Sequence, residues 1–429
     1  MNQRVSVVAV AGICWLAVGL APAAEGELQP DLIPASALAR ADLAKYWQAG
    51  AALWPGERVI RLKLIDENLY CMTDRGRAVA LHADTGLLLW SIDLAASGDK
   101  VLGPTHTPDA VMFTTDTKVV QCSRRKGEVI YNVDLPFAVS SAAVGDGDRA
   151  YLGSTNGRFY CVRLYDRIRL WQVRTDRAVS GTPALEGRLV YFAAEDGHVY
   201  ACRAVNKQEL FQRQLSAGVF CDMVCRDNAL LVASRDRSLY CYNAITGRLR
   251  WQFRTSGPLI DTPVLAGDTV FFFGRREAFF AATLAEGTQR WKRDDLCGFI
   301  ARQDDTSYLR DTSGDIVAVE TATGKTEAVI PARGVPLAAI NDRDGTLFVG
   351  RPDGAVMSIR PIGVPYLRRD DLRKVLQPAV EAPAPVVEVP VEPVAPPTPA
   401  APTAPDPLRS ADDVPPVAGG VLEESGDGE

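Results

Sequence analysis

A bulky aromatic residue returns about every 40 residues through the middle of this 429-residue chain, at Trp90, Tyr131, Trp171, Phe211, Trp251 and Trp291, with spacings of 41, 40, 40, 40 and 40. A period of this size means one supersecondary unit repeated, each copy burying its apolar surface against its neighbours. The unit is plainest from Leu239 to Trp251: an alternating apolar strand, a turn ending in Thr246-Gly247, and a second strand that holds the tryptophan. Thr-Gly recurs at Thr85-Gly86 and Thr323-Gly324, with looser forms at Lys126-Gly127 and Glu286-Gly287. Glycine there supplies the positive φ that tight hairpins require.

Upstream of each unit lies a second hairpin, such as Val190 to Ala201, with equivalents starting near Leu69, Val111, Tyr151, Leu231, Phe271, Tyr308 and Phe348. One more short apolar strand precedes it, as in Thr182-Pro183-Ala184-Leu185 and Thr262-Pro263-Val264-Leu265. Four short strands per repeat make a small twisted sheet that is buried on both faces only when its copies stack radially. The sequence therefore predicts an all-β chain: one β-propeller of four-stranded antiparallel blades over residues 57–363, eight blades, or seven if the last copy is a fragment. The seventh copy has Ala328 near the aromatic slot, and the eighth lacks a clear outer strand after Gly363. A ring must close to protect its edges, so a strand from Glu57 to Asp66, or from Leu53-Trp54, is expected to complete the final sheet.

The two ends have a different character. Arg4, the uncharged run Val5 to Ala21 and the exit Ala21-Pro22-Ala23-Ala24 read as an export signal over residues 1–24, cleaved near Ala23 or Ala24, or retained as an anchor. Residues 25–56 form an N-terminal segment. Residues 364–377 read as a short basic amphipathic segment with a helical pattern from Tyr366 to Leu376. Residues 378–429 hold 13 of the 28 prolines, ten carboxylates and one base, so this tail carries −9 while the preceding 377 residues carry +3. Such a composition predicts a disordered, partly polyproline II tail. The overall −6 argues against a nucleic-acid binder, which needs a basic face to neutralise phosphates, although that total is unevenly spread along the chain.

The pattern Tyr/Phe-Ala-Leu-Asp-Ala-x-Thr-Gly-x-x-x-Trp, best kept at Ala80 to Gly86 with Trp90, at Cys241 to Trp251 and at Ala318 to Gly324, resembles the tryptophan-docking repeat of the PQQ-like propellers, the quinoprotein alcohol-dehydrogenase superfamily. The resemblance implies the propeller fold and two kinds of function: quinone-dependent oxidation, or, as in the branch of BamB-type outer-membrane assembly factors, the holding of protein partners. The enzymes stack their quinone beneath two adjacent cysteines, and no two of the nine cysteines here are adjacent. The expectation is an exported, monomeric, non-enzymatic scaffold without cofactor or metal, periplasmic or elsewhere in the envelope or extracellular, touching membrane only through its N-terminal segment. The competing expectation is a quinone-dependent dehydrogenase or a small-ligand sensor that uses the axial funnel.

Other residues have plain readings. Cys161 and Cys241 sit ten residues before their aromatic, and Cys122 and Cys202 nine, so all four occupy packing slots of different blades. Cys221 and Cys225, read as lying on one strand, are too far apart to pair with each other. Buried thiols are expected, with a bridge involving Cys71 or Cys297 left open. Asp146-Gly147-Asp148 and Asn341 to Gly345 fall where other repeats turn, so turn chemistry explains them better than calcium. Thr323-Gly324-Lys325-Thr326 ends like a phosphate loop but lacks its first glycine, and His82, His106 and His198 belong to different blades. Polar residues read as the starts of innermost strands, His106, Ser140, Ser141, Thr182, Asp222, Asp261 and Thr262, are expected to converge at one end of the axis as the candidate partner or ligand surface.

Overall fold

The computed structural model describes residues 30–95 and 100–363; the stretch read as an export signal, the segment 364–377 and the tail lie outside them. The described chain forms 32 strands in eight four-stranded sheets and one short helix, Ala35–Ala39. Blades I to VII are consecutive four-strand meanders, and all pairings within them are antiparallel. Among the described residues no helix is long and apolar enough to cross a membrane.

Blade V illustrates how the repeat becomes a blade. Val224–Arg226, Ala229–Ser234, Ser238–Asn243 and Leu249–Arg254 lie side by side, with Leu231 opposite Cys241 and Cys241 opposite Trp251. Every residue of the second strand is buried, because both its faces meet neighbouring blades, whereas the outer strand alternates. A register shift falls just before the aromatic slot, between Cys241 and Tyr242, and recurs at the same step in the other blades, as at Ala80/Leu81 and Ala281/Ala282. A bulge inserts one residue and re-aims the next side chain, here the aromatic.

That side chain is the joint between blades. The indole N–H of Trp90 donates to the Arg124 carbonyl of the next blade (2.9 Å), Trp171 to Ala204 (3.0 Å), Trp251 to Leu284 (2.8 Å) and Trp291 to Thr321 (2.9 Å). The ring lies flat under the next blade's turn: a Cβ placed on Gly287 would sit 2.5 Å from Trp251, and Gly247, Gly127 and Gly324 are as close to Phe211, Trp90 and Trp291. These glycines thus have two reasons to be glycine, the positive φ (+68° at Gly287) and the lack of room for a side chain. Phe211 keeps the packing without an N–H, and Tyr131 packs half-buried in a cluster with Leu164.

Ring closure departs from the expected route. The final sheet is completed by Leu43–Gly50, which pairs antiparallel with Ala355–Pro361, Leu43 opposite Pro361 and Gly50 opposite Ala355. Neither proposed stretch closes the ring: Val59–Ile65 is the innermost strand of blade I, and Trp54 lies in the connection, where Arg77 stacks on it at 4.9 Å. The physical reason is supply. The last repeat contributes three strands, and among the described residues the strand preceding the first blade is the one left over to become its fourth. The same strand brings a seventh docking aromatic, Trp47, whose indole donates to the Ala83 carbonyl (2.9 Å) beneath Gly86.

Candidate functional site

Each innermost strand runs from one face of the disc, the entry face, to the other, the exit face. Because neighbouring strands alternate in direction, the turns between third and outer strands also lie on the exit face. Six of the seven predicted site residues precede innermost strands at the entry face. Thr182 N–H donates to Asp222 Oδ1 (2.8 Å) and Asp222 N–H to Thr262 Oγ1 (3.0 Å), so these residues link one blade to the next. Ser140 Oγ donates to the Val179 carbonyl (2.8 Å), Ser141 Oγ accepts from Gly153 N–H (2.7 Å), and Asp261 pairs with Arg275 at 3.5 Å. Their chemistry is the satisfaction of strand-end groups. In the axial channel burial pulls the Lys63 ammonium down from its ordinary range; Asp222 opposes that and Arg61 adds to it. Arg61 itself donates to the carbonyls of Val101 (3.3 Å) and Gly103 (2.6 Å).

His106 is not among them. It ends its strand, Leu102–His106, and stands on the opposite, exit face. Here a cavity of about 660 Å³ opens on the axis, lined by Asp66, His106, Arg124, Asp146, Arg226 and Asp342 among others. An ion pair between Arg226 of blade V and Asp342 of blade VIII spans it, while Arg226 Nη1 holds the Leu265 carbonyl at 3.1 Å. On its wall a chain of hydrogen bonds joins blades I and II. Asn68 Nδ2 donates to Tyr70 Oη (2.9 Å), which leaves the tyrosine proton for His106 Nε2 (2.8 Å). His106 Nδ1–H then donates to Asp66 Oδ2 (2.9 Å), to which Arg124 also donates (2.9 Å) beside its contact with Glu67. This network assigns the neutral Nδ1–H tautomer. Both ring nitrogens are engaged within the protein.

Burial, with a smaller push from Arg124, holds the imidazole below its ordinary range against the pull of Asp66. A base with a depressed folded pKa binds fewer protons folded than unfolded, so it destabilises the fold as pH drops below its unfolded value of about 6.5. Thermal midpoints measured from pH 7.5 to pH 5 should fall through this window. In His106→Gln the fall should be shallower, and identical slopes would remove His106 as the cause.

Cys122, Cys161, Cys202 and Cys241 occupy the predicted packing slots and are buried, as are Cys71 and Cys221, whereas Cys225 is half-buried and Cys297 is exposed, against the expectation of buried thiols. The eight among the described residues are all free thiols, and burial pushes Cys71 and Cys161 up to about 12 and Cys241 up to about 11. The open possibility of a bridge involving Cys71 or Cys297 is therefore not realised. Cys221 lies ahead of the strand that holds Cys225 rather than on it. The acidic turns serve as turns: Asp146 accepts from Arg149 N–H and Tyr151 Oη, and Asn341 Nδ2 bridges Asp344 and the Thr346 carbonyl.

A second feature of the exit face lies at its rim. Leu87 and Leu88 of blade I, Val129 and Ile130 of blade II, Tyr165 and Ile168 of blade III, Val205 of blade IV, and Ile245 and Leu249 of blade V stand in or beside the turns before the outer strands, each 47 to 66 % exposed. Blades VI and VII put Glu286, Thr288, Thr323 and Lys325 in the same turns. Single exposed apolar residues are ordinary, but their recurrence on one face of five consecutive blades makes an apolar crescent around a mouth that mixes charged and apolar side chains. Sequence reading passed over it, because an apolar residue in a turn carries no message until the turns are known to share a face.

The family model for the outer membrane protein assembly factor BamB matches residues 115–210 and 203–360, more than half of the chain. The chain belongs to the BamB family. The crystal structure of BamB from Moraxella catarrhalis superposes with a TM-score of 0.59 at 16 % identity, over 74 % of this chain and 99 % of that one. The computationally designed Ika8 protein gives 0.58 at 14 % identity, over 73 % and 98 %. At such identities both likenesses are of fold. Comparison with curated proteins gives no match. Within the BamB-like ring, the eight-blade reading and the tryptophan-docking resemblance both hold.

Proposed function

We infer that this BamB-family propeller is an exported platform of the cell envelope that docks a protein partner on the apolar crescent of its exit face and carries out no chemistry of its own. The crescent is the observation that supports this reading: nine large apolar side chains around one face of blades I to V offer a desolvation gain to a partner, and the charged side chains in the mouth inside them set its register. The ring behind them is rigid, since most of its joints are aromatic side chains locked under turn glycines. The leader at residues 1–24 fits export, and the family's name fits work on outer-membrane proteins. The platform acts as a monomer.

The test is a crosslinking pulldown from intact envelopes with the double variant Tyr165→Glu, Ile245→Glu. Partner recovery should drop at least about tenfold, the consequence of burying charge at the centre of an interface. Recovery equal to wild type, from a variant of unchanged thermal midpoint, would displace the crescent. Purified protein given the quinone and calcium should gain neither thermal stability nor dye-linked oxidation. Activity in that assay would instead favour the enzymatic reading.

A further inference from the structure

One seam of the ring lacks its joint. At the aromatic slot of blade VII stands Ala328, opposite Ala318, and blade VIII has no turn glycine to lay over it, because its outer strand arrives from the N-terminus. Ile33 and Leu38, which flank and belong to the short helix, fill part of the gap in one cluster with Tyr308, Ala318 and Ala328. A recess of about 540 Å³ remains beside them. The acceptor for an absent indole is present by register. In the other blades the accepting carbonyl lies three residues beyond the one that pairs with that blade's own aromatic, as Ala83 follows Ala80 and Leu284 follows Ala281. In blade VIII the pairing residue is Ser358, so the counterpart is Pro361, and Pro361 lines the recess. Asp42, Asp304, Asp305 and Glu327 surround it against a single Arg40. Asp304 and Glu327 accept from the neutral donors Gln303 Nε2 (2.8 Å) and Thr306 Oγ1 (3.0 Å), so their charge is not cancelled there.

We propose that this recess is a docking slot for the chain's own segment Tyr366-Leu367-Arg368-Arg369, with the Tyr366 ring in the aromatic position and the two arginines over the acidic rim. The described chain ends at Gly363, beside Pro361 and Ile362 of the recess wall. Tyr366 is the first aromatic residue beyond it, three residues on, a span of at most about 10 Å. An aromatic followed by two cations matches an apolar slot with an acidic rim, and no other stretch between Gly363 and Glu429 holds an aromatic residue. The segment would supply from the C-terminus the joint that the other blades supply by an aromatic side chain of their own outer strand.

The test uses the full chain with p-benzoylphenylalanine in place of Tyr366. Irradiation should give intramolecular crosslinks to residues 303–308 and 325–330, and these should vanish in Ala328→Trp, which fills the slot with an indole of its own. Should Ala328→Trp fail to fold, Glu327→Lys with Asp305→Lys must weaken the same crosslinks. In parallel, Tyr366→Ala should speed tryptic cleavage after Arg368 and Arg369 about tenfold, as expected when a docked segment is released. Crosslinks to a second copy, crosslinks elsewhere on the ring, or yields unchanged in both slot variants would overturn the proposal.

Discussion

Trp251→Ala is expected to cost about 3–5 kcal/mol of stability, the range for removing a large buried aromatic, and so a large part of the roughly 5–15 kcal/mol that holds a domain folded. The side chain is 8 % exposed, its indole donates to Leu284 at 2.8 Å, and Gly287 rests on its ring, leaving little freedom for the gap to collapse. The variant also leaves the Leu284 carbonyl without that donor. Gly287→Ala attacks the same joint from the other side: its new methyl would lie 2.5 Å from the indole, and φ is +68°. Urea unfolding of the two variants and of Trp251→Phe checks the account. Phe211 already serves in one slot, so Trp251→Phe should lose much less than Trp251→Ala; equal losses would mean that the hydrogen bond, not the packing, carries the joint.

Removing residues 1–50 is expected to abolish cooperative folding. The deletion takes away Ile33, Leu38, Leu43 and Trp47, all buried, at about 1.5–3 kcal/mol each, which together rivals the stability of a whole domain. It also bares the edge of Ala355–Pro361, an invitation to aggregation. A circular permutant is the control. Leu43 and Pro361 face each other across the closing sheet, so a hairpin of the length seen between Asn243 and Leu249 can join them, with new termini opened between blades I and II. The permutant should give one cooperative calorimetric transition near that of the parent, and the deletion none. A deletion that melted like the parent would mean that the final blade needs no fourth strand.

The repeat was legible because local chemistry wrote most of it over and over: period-two strands in every copy, glycine turns in many of them and an aromatic in six at a spacing of 40 or 41. What escaped was encoded once or by distant parts of the chain. Trp47 stands 43 residues before Trp90, outside the 40-residue beat, and its strand has no hairpin partner next to it in sequence, so no turn announces it. His106 was put at the wrong end of its strand because Leu102–His106 contains Gly103-Pro104 and a register shift between Leu102 and Thr105, which blur the alternation. The network of Tyr70, His106, Asp66 and Arg124 draws on two blades, and only their stacking reveals it. Ala328 was legible as a missing aromatic, but the recess beside it depends on the closing strand arriving from elsewhere.

The docking role of the exit face is tested most directly by a photocrosslinking amino acid placed singly at Tyr165 and Ile245 on that face and at Asn156 and Arg237 on the entry face, with irradiation of intact cells. The account predicts a reproducible protein adduct from Tyr165 and Ile245 and none from Asn156 or Arg237. Adducts from the entry-face positions alone, or none from any position in folded, exported protein, would contradict it.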